Sequence, residues 1–121
     1  MTTIDCRPSV HGMVAYVTGG LGGIGSACVS SLLAHGCSVA FTYAEGHESA
    51  ERAQAVVARA PERISAHPLD LRSTASIQAT MDAVVARWGV VNIMVNAAAV
   101  GSATVRAYAE DPETQDSVML A

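Results

Sequence analysis

The 121-residue chain contains no lysine, so all seven of its basic residues are arginines. Charged residues make up only 15% of the chain and its formal net charge is -4, a balance that argues against a nucleic-acid partner. No apolar run approaches the roughly 20 residues that a membrane-spanning helix needs. Residues 1–12 lack the basic start and apolar run of a signal peptide. The sequence therefore predicts a globular cytoplasmic protein that binds neither nucleic acid nor a membrane.

Cysteine and histidine are few and scattered. The cysteines are odd in number and lack the spacing of a metal site, which favours small buried thiols. The histidines also show no ligand spacing, so we expect no bound metal. The residues in question are Cys6, Cys28, Cys37, His11, His35, His47 and His67.

A glycine-rich segment joins the first predicted strand to the first predicted helix. Residues 13–17, MVAYV, form a short apolar run typical of a buried strand, and residues 26–36, SACVSSLLAHG, have the apolar spacing of a helix. Glycines allow the tight turn, the close approach of a diphosphate and close packing of helix on strand. The N–H groups at the helix start would face the phosphates. The segment predicts a dinucleotide-binding loop, and a glycine-rich turn that binds nothing is the alternative.

The remaining pattern alternates strands with helices. Strands are predicted at about residues 13–18, 37–42, 63–67 and 90–96, and helices at about residues 24–35, 48–60 and 74–88. Right-handed crossovers make such a sheet parallel, with strand order 3-2-1-4. The fold class is thus α/β, the first half of a doubly wound parallel sheet, with two helices on one face and the third on the other. Residues 1–12 are predicted to be a tail and residues 13–121 a partial nucleotide-binding domain.

Two of the helices carry apolar residues at helical spacing, which predicts the faces that pack on the sheet. In the first helix these residues are Ile24, Cys28, Leu32 and Leu33. In the third helix they are Ile77, Met81, Val84, Val85 and Trp88.

The spacing Thr-Gly-x-x-x-Gly-Ile-Gly from Thr18 to Gly25 resembles the short-chain dehydrogenase/reductase family. Within that family it is most similar to the acetoacetyl-CoA and 3-oxoacyl-thioester reductases. The resemblance implies a Rossmann-like domain, oxidoreductase activity and a nicotinamide cofactor. It also implies that the cofactor contacts Thr18, Gly19, Leu21, Gly22, Gly23, Ile24, Gly25, Tyr43, Asp70, Leu71, Asn96 and Ala97.

Two further family motifs have counterparts here. Asp70-Leu71 stands where the family holds the adenine ring, and the alternative for Asp70 is a helix cap or a turn. The family's Asn-Asn-Ala-Gly after the fourth strand is matched by Val95-Asn96-Ala97-Ala98, with one Asn replaced by Val and the Gly by Ala. The resemblance implies that Asn96 braces the strand beside the adenosine.

The choice between NAD and NADP depends on the end of the second strand, where an acidic residue would favour NAD. Thr42-Tyr43 stands at that place, and Glu45 follows in the predicted loop. No arginine is expected nearby, and Gly22 occupies a position where some NADP-dependent family members carry Arg. The sequence therefore predicts NADP, with NAD as the alternative.

The family's catalytic Ser and Tyr-x-x-x-Lys pair have no counterpart in the chain. The tyrosines Tyr16, Tyr43 and Tyr108 are followed four residues later by Gly20, His47 and Pro112, and the chain contains no lysine. The resemblance places the catalytic residues after the next helix and strand, beyond residue 121. We therefore expect no catalytic residues here and no activity from this chain alone.

Three functional hypotheses remain open. The chain is the cofactor-binding part of a reductase acting on 3-oxoacyl thioesters of coenzyme A or acyl carrier protein. Alternatively, it is a non-catalytic subunit that joins a full-length short-chain reductase in a hetero-oligomer. In the third hypothesis it is a truncated remnant without function.

Overall fold

The computed structural model describes residues 9–98. Four strands alternate with three helices in this range: β1 Val14–Thr18, α1 Gly23–Ala34, β2 Ser38–Ala44, α2 Ala50–Val57, β3 Ile64–Leu69, α3 Thr74–Trp88 and β4 Ile93–Asn96. All strand pairs are parallel and the sheet order is β3-β2-β1-β4. The predicted fold class and strand order are confirmed. None of the helices within residues 9–98 is both long and apolar enough to cross a bilayer.

Helices cover both faces of the sheet. Successive strand residues point to opposite sides, so both faces present apolar side chains that helices bury. One core cluster joins Val17 and Phe41 to Val29 of α1 and Ala53 of α2. On the other face, Tyr16 and Ala40 pack with Val84 of α3. The expected division, with two helices on one face and the third opposite, is thus observed.

The strand boundaries differ from the predicted ones by two residues or more in β2, β3 and β4: β2 continues to Ala44, and the differences in β3 and β4 have local reasons. β3 continues through Pro68, which pairs in register with Tyr43. Proline is tolerated there because β3 is the edge strand among the described residues and needs no outward N–H. The β4 ladder begins at Ile93 rather than at residue 90. Just before it, Asn92 is joined to β1 partly through its side chain, whose Oδ1 accepts from the Val14 N–H at 2.9 Å.

The packed helix faces are narrower than predicted. Ile24 is 76% exposed at the start of α1, where Gly25 and Val29 face the interior instead. On α3, Ile77 and Val85 are more than 40% exposed and flank the buried Val84. The apolar spacing identified both helices correctly but overestimated the width of the faces that they bury.

Candidate dinucleotide-binding site

The glycine-rich loop is attached to β2 by a buried hydroxyl group. The N–H of Gly19 donates to Thr42 Oγ1 at 3.1 Å, and the N–H of Gly20 donates to the Thr42 carbonyl at 2.9 Å. Thr42 is only 1% exposed. The sequence analysis did not identify this anchoring role of Thr42. The one sign of it in the sequence is a polar residue within the apolar run of β2.

Thr18 joins the carboxyl end of β1 to the residues that follow β4. Its Oγ1 accepts from the N–H of Ala97 at 3.2 Å and from the N–H of Ala98 at 3.4 Å. The Ala97 N–H also lies 3.2 Å from the Thr18 carbonyl oxygen. These bonds fix the loop relative to the end of β4.

Three glycines of the loop are required by close packing. Gly19 has a φ of +73°, and a Cβ there would lie 2.8 Å from Ala98 Cα. A Cβ on Gly20 would lie 2.6 Å from ring atoms of Phe41, and a Cβ on Gly25 would collide with the Gly19 carbonyl oxygen. Side chains at these positions would therefore force the loop away from the sheet or from the start of α1.

The other two glycines leave open space at the start of α1. A Cβ on Gly23 would meet no atom within 4 Å, and one on Gly22 would come no closer than 3.5 Å to the Gly19 carbonyl oxygen. Gly22 is the N-cap of α1 and, among the described residues, provides no side-chain cap, whereas Ser49 caps α2 and Ser73 caps α3. Exposed N–H groups at a helix start attract anions. The open side of the loop therefore fits a diphosphate group.

The other predicted cofactor contacts lie along the same edge of the sheet. Tyr43 is the penultimate residue of β2, Asp70-Leu71 follows β3, and Asn96-Ala97 stands at the end of β4. Parallel strands bring all of these carboxyl ends together with the loop after β1, as in doubly wound sheets that bind ligands at this edge. Ile24 adds a largely exposed apolar side chain next to the loop. The structure thus brings the predicted residues to one edge, while their individual cofactor contacts stay predictions.

Asp70 closes the turn before α3. Its Oδ1 accepts from the backbone N–H of Arg72 at 3.0 Å and from Arg72 Nε at 3.2 Å. The backbone bond, followed by the side-chain bond, lowers the pKa of the Asp70 carboxyl below its usual value. The turn-closing alternative is therefore observed, and contact with adenine stays a prediction for the same carboxylate.

The charged residues near the end of β2 lie on opposite faces of the sheet. β2 runs to Ala44, so Glu45 follows the strand directly and lines a cleft with His67 and Thr80 on the α3 side. No arginine was expected near the end of β2, and Arg52 of α2 instead lines a cleft on the other side of the sheet together with the loop residues Gly20 and Leu21.

Comparison with known proteins identifies the family. Residues 13–120 match the family described as short chain dehydrogenase, so the chain belongs to the short-chain dehydrogenase family. The D-threitol dehydrogenase of Mycolicibacterium smegmatis is 35% identical over 117 residues, which cover 94% of this chain and 42% of that protein.

Solved structures show the same fold. A variant of the Serratia marcescens short-chain dehydrogenase/reductase is 36% identical with a TM-score of 0.76, covering 94% of this chain and 46% of that one. A blue fluorescent protein from a metagenomic library, solved in complex with NADPH, is 33% identical with a TM-score of 0.70, covering 77% of this chain and 38% of that one.

The relatives differ widely in the substrates that their names state. A peroxisomal 2,4-dienoyl-CoA reductase of Mus musculus, for example, is 27% identical over 104 residues, 78% of this chain and 36% of that protein. The chain therefore spans about two fifths of the length of such relatives. The family is established, whereas the narrower resemblance to acetoacetyl-CoA and 3-oxoacyl-thioester reductases belongs to the proposal below.

Proposed function

We propose that this chain is the NADP(H)-binding part of a short-chain oxidoreductase. The proposal rests on the packing of the loop glycines. Close packing at Gly19, Gly20 and Gly25 fixes the backbone of the loop, whereas Gly22 and Gly23 leave the space at the start of α1 open for a diphosphate. The NADPH complex of a relative at 33% identity supports the choice of cofactor. We place the protein in the cytoplasm as part of the same proposal.

In this proposal the chain binds and orients the cofactor. The N–H groups at the start of α1 hold the diphosphate, Asp70 accepts from the adenine amino group, and Asn96 braces the sheet beside the adenosine. When bound, the cofactor supplies a nicotinamide ring that carries hydride. In this proposal the Tyr-x-x-x-Lys pair, and the Ser that works with it, lie outside residues 1–121, which contain no lysine for such a pair.

For the substrate we propose a 3-oxoacyl thioester of coenzyme A or acyl carrier protein. The support is the resemblance of residues 18–25 to reductases of that class. A functional reductase containing this chain should oxidise NADPH with acetoacetyl-CoA faster than with polyols or sugars of similar concentration. A preference for a polyol would contradict the thioester assignment without affecting the cofactor site.

Gly23→Val tests the cofactor site. A Cβ at this position has open space around it, so folding should be preserved while the valine side chain fills the diphosphate space. We expect NADPH binding by the 121-residue chain, measured by calorimetric titration, to be lost. Ala27→Val is the matched control, since Ala27 is an exposed residue of the same helix outside the loop. Equal NADPH affinity in both variants would refute the site assignment.

A second proposal is that the chain acts as an accessory subunit of a full-length short-chain reductase. Exposed apolar side chains on the α3 side support it, among them Met94 of β4, which is 53% exposed, and Val85 of α3. Tagging the chain in its host and identifying what co-purifies tests the proposal. A stoichiometric full-length reductase is the expected result, and a chain that purifies alone would refute it.

A further inference from the structure

We propose that Ser76 of α3 is a positioning residue for the purine base of the cofactor, because its hydroxyl group holds the backbone of Asp70 in place. The inference rests on the proposed cofactor function, in which the Asp70 carboxylate accepts from the adenine amino group. Ser76 itself touches no part of the cofactor. It acts through the turn that carries the carboxylate, and the discrimination between adenine and other purines depends on it.

The turn after β3 is attached to α3 at its first N–H group. The ladder between β2 and β3 ends where the Leu69 carbonyl accepts from the Glu45 N–H at 3.1 Å. Among the described residues, the next N–H group, that of Asp70, meets no strand and donates to Ser76 Oγ at 3.0 Å. A side chain six residues further along the chain thus supplies the partner that a neighbouring strand would otherwise provide.

Ser76 is itself held in place at the start of α3. Its N–H donates to the Oγ of Ser73, the N-cap of the helix, at 3.1 Å. The Ser73 N–H donates in turn to the Asp70 carbonyl at 3.1 Å. Both backbone polar groups of Asp70 are therefore bonded to the beginning of α3. A helix is a more precise support than a loop for a residue that must meet a ligand, so the position of Asp70 depends on these bonds.

The side chain of Asp70 is oriented so that one oxygen is available to a ligand. The N–H and the Nε of Arg72 both donate to Oδ1, whereas within residues 9–98 no hydrogen bond occupies Oδ2. The bonds from Arg72, first that of its backbone N–H, hold the pKa of the Asp70 carboxyl below its usual value, so Oδ2 only accepts at neutral pH. An amino group fits this oxygen, and a carbonyl oxygen in the same place would be repelled.

The hypoxanthine analogue of NADPH provides the readout in calorimetric titrations of the full chain. It replaces the adenine amino group by a carbonyl oxygen and leaves the ribose and the phosphates unchanged. The wild type should bind NADPH roughly tenfold more tightly than this analogue, the usual effect of one hydrogen bond to a charged group. Ser76→Ala releases the Asp70 N–H and should reduce that ratio at least about threefold. Ser76→Thr retains the hydroxyl group and should keep the wild-type ratio.

Trp88→Phe is the matched control. It removes the hydrogen bond of 2.8 Å from Trp88 Nε1 to Ser65 Oγ, which attaches the other end of α3 to β3. This variant should have a lower thermal midpoint yet keep the wild-type ratio of the two affinities. An equal loss of the ratio in Trp88→Phe and Ser76→Ala would show that only the general attachment of α3 matters, and it would refute the role of Ser76.

The outcomes separate this inference from the cofactor proposal on which it rests. If the wild type prefers NADPH to the analogue and Ser76→Ala keeps that ratio, the role of Ser76 is refuted and the cofactor site stands. If the wild type binds both nucleotides equally, the base contact of Asp70 is refuted together with the role of Ser76. If it binds neither, the cofactor proposal is refuted as well. Alanine favours helix, so Ser76→Ala should fold, and thermal unfolding without ligand verifies this.

Discussion

At the scale of single residues, Gly23 and Gly25 have different constraints although they are two positions apart. A methyl group on Gly25 would collide with the Gly19 carbonyl oxygen, whereas one on Gly23 would meet nothing within 4 Å. Gly25→Ala should therefore lower the free energy of unfolding by about 1–3 kcal/mol, the usual cost of overpacking. Gly23→Ala should leave it unchanged or raise it slightly, since alanine favours helix. Urea denaturation of both variants measures the difference, and equal stabilities would contradict the observed packing.

Thr42 is the other residue on which the loop depends. Its hydroxyl group is buried and accepts the Gly19 N–H at 3.1 Å. Thr42→Val keeps the shape but leaves that N–H without a partner, which should cost about 1–3 kcal/mol of unfolding free energy. Thr42→Ser retains the hydroxyl group and should be less destabilised than the valine variant. A valine variant as stable as the serine variant would show that this hydrogen bond contributes little.

The sequence allowed the loop residues to be predicted but not the charged residues beside them. Thr18 to Gly25 follow one another along the chain, so their spacing alone indicates a turn and its ligand. Arg52 and Glu45 reach their places through the packing of α2 and the length of β2, which spacing does not reveal. For the same reason Thr42 was not recognised as the residue that anchors the loop.

At the scale of elements, α3 is joined to β3 by a chain of side-chain hydrogen bonds. Trp88 Nε1 donates to Ser65 Oγ at 2.8 Å, and Ser65 Oγ lies 2.8 Å from His67 Nε2. The Trp88 N–H can only donate, so the Ser65 hydroxyl hydrogen is available to a neutral His67. Burial lowers the pKa of His67 below its ordinary value, which is consistent with that neutral state.

This arrangement predicts a loss of stability in mild acid. Because the pKa of His67 is lower in the folded than in the unfolded chain, the unfolded chain takes up the proton first as the pH falls through about 6.5. The free energy contributed by neutral His67 is therefore complete above that pH and decreases below it. Denaturation curves between pH 7.5 and pH 5 should show a smaller decrease for His67→Gln than for the wild type. Parallel decreases would exclude His67 as the cause.

Element types and order could be predicted because apolar periodicity distinguishes strands from helices over these lengths. The end of β2, the end of β3 and the start of β4 could not, since they depend on neighbouring strands. Pro68 extends β3 because that edge needs no N–H, and Asn92 joins Val14 partly through its side chain. Periodicity also failed for Ile24, whose exposure follows from the packing of Gly25 against the loop.

At the scale of the whole molecule, we expect the chain to bind the cofactor without catalysing a reaction. The loop and the carboxyl edge of the sheet have the parts of a cofactor site, whereas the 121 residues contain no lysine for a Tyr-x-x-x-Lys pair. At 100 times its dissociation constant, NADPH should stabilise the chain by about 2.7 kcal/mol, which raises the thermal midpoint. The same preparation should not oxidise NADPH with acetoacetyl-CoA, because residues 1–121 contain no Tyr-x-x-x-Lys pair to exchange the proton in the way the family does. Turnover that persists through purification and disappears in Gly23→Val would contradict this and show that the chain carries its own catalytic group.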